Sequence, residues 1–174
     1  MKKNSRGFSL IELLIVVAII LIIAAIAIPN LLRSRIAANQ ASAVGSLRTL
    51  NTAEVTYATT YNTGYSSTLG DLGPPAAGTN PVMSAAGLVD EVLSGIGSAG
   101  GTPATANVSS KSGYTFYYSP GGVDSSNRIN TYSISASPIS VGTTGTNFYY
   151  TDQSGVIRQN STAMAASTDS PLAG

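Results

Sequence analysis

From Phe8 to Ile28 the chain runs for 21 residues in which only Ser9 and Glu12 are polar. Coiled as a helix, that stretch is about 31 Å long, close to the thickness of a bilayer's hydrocarbon core. No small soluble core can hide so long an apolar rod, so it needs lipid or other copies of itself. Lys2, Lys3 and Arg6 precede it, a basic flank that the positive-inside rule keeps on the cytoplasmic side. A secretory signal has a shorter apolar core followed by a small-residue cleavage site. Here the run is longer, and the small residue, Gly7, comes before it. Taken alone, these features describe a single-pass membrane anchor.

Glu12 does not suit a plain anchor. A carboxylate inside an apolar span costs about 2.5–3.5 kcal/mol on insertion scales. It is either tolerated near the interface or it has a partner. If the chain is cut after Gly7, Phe8 gains an ammonium group that can neutralise Glu12 of a neighbouring copy in the apolar medium.

The rest of the composition removes most other functions. Charged residues make up 10% of the chain, against about 25% in ordinary soluble domains. Nine basic residues face eight acidic ones, so the chain lacks the clustered charge of a nucleic-acid site. It contains no Cys and no His. Disulfides, thiolate nucleophiles, the usual zinc ligands and a histidine base are thereby excluded. An enzyme is not expected, and neither is a cofactor or metal.

Arg6-Gly7-Phe8-Ser9-Leu10-Ile11-Glu12, followed by the apolar run, resembles the class III signal of type IV pilins and pseudopilins. The resemblance is strong over about residues 5–35 and weaker to about Tyr61. It implies cleavage by a prepilin peptidase between Gly7 and Phe8, N-methylation of Phe8, and roles in assembly for Glu12 and the helix-kinking Pro29. It also implies a homopolymer built by an inner-membrane platform and ATPase, with minor pilins as further partners. The precursor would sit in the inner membrane and the product on the cell surface. A periplasmic location is implied instead if the chain is a pseudopilin. The Cys-free sequence departs from the many major pilins whose C-terminal loop is closed by a disulfide.

The expected fold is α+β, a long N-terminal helix packed on a small antiparallel sheet. Residues 1–7 form the leader, 8–30 the membrane or filament-core helix, and 31–62 the amphipathic helix of a head. Residues 63–113 form a loop-rich region, 114–160 the sheet, and 161–174 a flexible tail. Pro29 lacks an N–H, so the helix is expected to kink or loosen there. Beyond it Ile36, Ala43, Leu47, Leu50, Tyr57 and Tyr61 make one apolar stripe, interrupted by Gln40 and Glu54. Arg33, Arg35 and Arg48 lie off the stripe, with Glu54 as the candidate internal partner. Ala85–Ser94 has helical spacing, and Gly95–Ser112 reads as a mobile surface loop. Tyr114–Tyr118 and Thr131–Ala136 read as strands, and Asn147–Thr151 forms a hairpin with Val156–Arg158.

Four other patterns carry less. Gly95 to Gly100 matches G-x-G-x-x-G, but a helix-like segment precedes it and Pro103 follows, so it does not fit a nucleotide fingerprint. Asp90 and Glu91 are neighbours and diverge by about 100° on a helix, a poor acid/base pair and a good solvated face. Asp124 is the lone carboxylate of its loop, too few for calcium. Two N-x-S/T sequons begin at Asn107 and Asn160. The reading is a structural subunit of an extracellular type IV pilus. A type II secretion pseudopilin or a minor pilin is the alternative, and a membrane-anchored enzyme or binding module is disfavoured.

Overall fold

The computed structural model describes residues 8–96 and 107–172. The leader with Gly7, and Gly97–Gly100 of the glycine motif, lie outside the described residues. Two compact units divide between Arg35 and Ile36.

In the first unit, helix α1 (Leu10–Tyr61) begins at Leu10 and carries the apolar run. Its side chains have no protein cover: Leu10 is 80% and Ile26 66% exposed, which for residues of this kind is tenable only in an apolar surrounding. Among the described residues one helix is long and apolar enough to cross a membrane. The helix runs on through Pro29. The proline ring removes a single bond, the one to the Ala25 carbonyl, and the turns on either side remain helical.

The second unit packs the rest of α1 on a five-stranded antiparallel sheet. Its strands are β1 (Val108–Lys111), β2 (Tyr114–Pro120), β3 (Tyr132–Pro138), β4 (Phe148–Asp152) and β5 (Arg158–Asn160), in sequence order. Phe116 lies opposite Ala136, and Ile134 opposite Thr151, so the alternation of each strand points one face inward. Tyr114, Phe116, Tyr118, Tyr132, Ile134 and Tyr149 from that face form one core with Ala43, Leu47, Leu50, Ala53 and Tyr57 of α1. Most of the expected stripe is thus the core face; Ile36 and Tyr61 are only half-buried. Gln40, its first polar interruption, donates to Thr146 Oγ1 at 2.8 Å.

Several expectations are corrected. Val108–Lys111 is a strand and not loop, because Ser112 (φ 50°) and Gly113 (φ 77°) make a two-residue turn of the kind that closes hairpins. Helix α2 is confined to Glu91–Ser94 and does not start at Ala85. Ahead of it Gly87 has φ +68°, and the N–H groups of Leu88 and Val89 donate to the Leu72 carbonyl, which pulls the backbone out of helix. Asp90 is exposed, in keeping with a solvated face, and in addition caps α2 by accepting the Leu93 N–H at 2.8 Å. It also pairs with Lys111, the one ion pair among the described residues. Partial burial pushes the Asp90 carboxyl up, but the Lys111 ammonium and the Leu93 N–H outweigh it and hold it below its usual range. Strand β5 begins at Arg158 and not at Val156.

The segment after Asn160 was expected to be a loose tail and instead returns along the sheet. Gln159 N–H donates to the Ser170 carbonyl, Leu172 N–H donates to the Ile157 carbonyl, and Ala165 is buried. The outer side of β5 is thereby paired. At the opposite end of the sheet α2 runs up against β1, where a Cβ on Gly95 would come within 2.7 Å of the Val108 carbonyl oxygen.

Gly45 gives a small test of this packing. It lies in α1 on an exposed side, and a Cβ built there meets nothing within 4 Å. Gly45→Ala is therefore expected to raise stability by about 0.5–1 kcal/mol, as glycine relative to alanine in an open helix position costs that much. Denaturant unfolding of the detergent-solubilised chain measures it.

Candidate functional site

The first set of candidate residues lies at the start of α1. Ser9 precedes the helix, and Glu12 Oε2 accepts the Ser9 N–H at 2.9 Å. The Ser9 carbonyl in turn accepts the Leu13 N–H at 3.2 Å. Ser-x-x-Glu ahead of an apolar run is a helix N-terminus signature, with the glutamate reaching back to the capping residue's N–H. Glu12 therefore has a structural role inside its own chain. The signal for it stands in the sequence as Ser9-Leu10-Ile11-Glu12. Phe8 is 75% exposed and adjoins the N–H that Glu12 engages. Pro29 is on the same helix, 17 positions beyond Glu12, so these residues share an element and not a pocket.

Glu54 occupies a different setting from the one expected. It is fully buried and has no arginine partner. Its Oε2 accepts the Ser66 N–H at 2.9 Å and its Oε1 the Ser66 hydroxyl at 2.6 Å. The Tyr118 hydroxyl donates to the Ser66 carbonyl at 2.7 Å. Glu54 turns toward the sheet, whereas Arg48 lies on the exposed side of α1. Next along the chain, Asp71 Oδ2 accepts the Ser67 hydroxyl at 2.7 Å and the Thr68 N–H at 2.9 Å. Ser66, Ser67 and Thr68 are thus each tied to a carboxylate. That run of hydroxyls is the sequence signal for these contacts.

The remaining candidates are occupied with local structure. Asp124 accepts the Ser126 and Arg128 N–H groups and the Asn130 amide, closing its own turn. The Arg128 N–H, the Asn130 amide and the Ser126 N–H together hold its carboxyl below the ordinary range. Asn107 Oδ1 accepts the Leu69 N–H, and the Asn160 amide donates to Asp169 Oδ1 while Asn160 Oδ1 accepts the Thr162 N–H. Of the glycine motif, Gly95 ends α2 with φ +76°. Among the described residues no three metal-ligating side chains converge.

Residues 2–28 match the family described as the prokaryotic N-terminal methylation motif. The chain is 50% identical over 54 residues to a type IV major pilin protein of Myxococcus xanthus, which covers 31% of this chain and 24% of that protein. It is 65% identical over 37 residues to a type IV wide pilus major component of Thermus thermophilus, covering 21% of this chain and 28% of that one. The match therefore spans about a quarter of the length of these curated relatives. No solved structure matches the chain.

Proposed function

We propose that this chain is a type IV pilin, anchored in the membrane as a precursor and polymerised into a surface filament through its N-terminal helix. The observation that carries this reading is the N-terminal methylation motif, coincident with an apolar helix that has no protein cover. The descriptions of the two relatives as major pilus components favour a main subunit over a minor pilin or a secretion pseudopilin. The role is structural and not enzymatic.

In this reading a prepilin peptidase cuts between Gly7 and Phe8, and Phe8 is N-methylated. The cut removes Lys2, Lys3 and Arg6, so six basic side chains remain against eight acidic ones. The anchor loses its cytoplasmic basic flank and gains one ammonium at Phe8. Glu12 of one subunit then neutralises the Phe8 ammonium of the next. The residues from Leu10 to Ile28 supply the apolar contact between helices. Pro29, which leaves the Ala25 carbonyl without its usual donor, marks where α1 gives way most easily on assembly. An inner-membrane platform, its ATPase and minor pilins drive and complete the polymer.

Imaging of sheared surface filaments, with identification of their main subunit, tests the reading. Mass spectrometry of that subunit should show a chain beginning at a methylated Phe8. An intact Met1, or a different start in filament material, would sink the processing scheme.

A further inference from the structure

Glu54 is a buried acid in the head that pilus assembly through α1 leaves unused. The groups facing it are Tyr57 on α1, Ser66 just past the end of α1, Asp71 in the turn Leu69–Leu72, Tyr118 on β2 and Tyr132 on β3. None is a cation. Ser66 Oγ lies 2.6 Å from Glu54 Oε1 and 3.1 Å from the Tyr118 hydroxyl oxygen. Ser66 has one hydroxyl hydrogen for these two acceptors, and Tyr118 spends its own on the Ser66 carbonyl. A proton on Glu54 resolves the shortage. Glu54 then donates to Ser66 Oγ, Ser66 donates to Tyr118, and Tyr118 donates to the Ser66 carbonyl, a closed and neutral chain. Without that proton the ring keeps a buried charge with no counterion, which is costly.

We propose that Glu54, Ser66 and Tyr118 form a proton-operated latch, closed on the segment after α1 when Glu54 is protonated and loosened when it ionises. The segment concerned, residues 62–68, is short; it is also held by the Gly64–Ile129 bridge, by the Arg128 bond to Asn62 Oδ1 and by Tyr65 against Tyr132. Tyr65 N–H donates to the Ile129 carbonyl at 2.8 Å, and Ser67 and Thr68 bind Asp71. Burial pushes the Glu54 carboxyl above its ordinary value of 4.5; the two Ser66 bonds and Tyr118 oppose the shift, and the Asp71 charge adds to it. The folded state therefore binds this proton more tightly than the unfolded chain. Its contribution to stability is complete below the unfolded value and is lost as pH rises through the folded one.

The full-length protein in detergent micelles, with glutamate carboxyl carbons labelled, provides the test. The chain has three glutamates, Glu12, Glu54 and Glu91, so the resonances are few. One should titrate above the ordinary range and vanish in Glu54→Gln. In Ser66→Ala the same resonance should titrate higher still, because a bond to the ionised form is gone. Hydrogen-exchange protection of residues 62–68 should fall severalfold across that titration in the wild type. The melting temperature should decline over the same interval and become flat in Glu54→Gln. An ordinary titration of Glu54, or protection that ignores its ionisation, overturns the latch. Should Glu54→Gln fail to fold, the wild-type titration and exchange decide alone.

Discussion

Replacing Glu12 with Gln yields a subunit that is inserted and cut after Gly7 but builds few or no filaments. Gln at the third helical position still reaches back to the Ser9 N–H, so the start of α1 is preserved. Only the charge is removed. In the bilayer a lone carboxylate carries a penalty of about 2.5–3.5 kcal/mol, which pairing with a neighbour's Phe8 ammonium relieves. Forfeiting that relief weakens each addition step about a hundredfold. Apolar helix contacts remain, but they are no better between subunits than with lipid tails. Quantifying surface filaments and processed subunit in the variant checks the result. Wild-type filament yield would refute the pairing, whereas loss of cleavage would place Glu12 in the peptidase's service.

Gly64→Ala should destabilise the head by about 3 kcal/mol or more, the combined effect of a strained backbone and a buried clash. Gly64 has φ +87°, a region that alanine enters only with strain, and it lies beside Ile129 in a parallel bridge. A Cβ there would stand 2.3 Å from the Ile129 carbonyl oxygen, which already accepts the Tyr65 N–H. Neither side can retreat, since both are backbone. Gly78 is the control: its φ is +79°, yet a Cβ meets nothing within 4 Å. Gly78→Ala should therefore cost only the conformational part, about 1 kcal/mol. Thermal unfolding of the two variants separates strain from collision. Equal losses would mean that the approach to Ile129 is not tight.

The sequence reading succeeded where periodicity is strong and tertiary context merely accepts it. The helix to Tyr61 and the aromatic strand at Tyr114 needed only local spacing, and the core stripe from Ala43 to Tyr57 followed from it. It failed where a segment's state is set by a distant partner. Val108–Lys111 is polar and unremarkable until β2 lies beside it. The stretch from Ala85 to Val89 has helical spacing, but carbonyls of Asp71 and Leu72 claim its N–H groups. Polar residues were misjudged for the same reason. Glu54 stands in the sequence as a polar interruption of the core stripe and a candidate partner for an arginine, since nothing near it in sequence announces Ser66 and Tyr118. The charge of Glu12 is plain in the sequence, whereas its capping bond to Ser9 depends on where the helix begins.

The two ends of the sheet bear on how such a protein survives its own concentration. Subunits that gather into a polymer bring their sheets together at very high local density. An open strand edge there is a template for cross-β growth, which would compete with the ordered lattice. In this head β5 already has a backbone partner in the returning residues Ser170–Leu172, and β1 has α2 lying against it. The outer side of β5 is thus bonded by its own chain, and β1 is partly covered by α2. Strand addition at the β5 edge is thereby closed off.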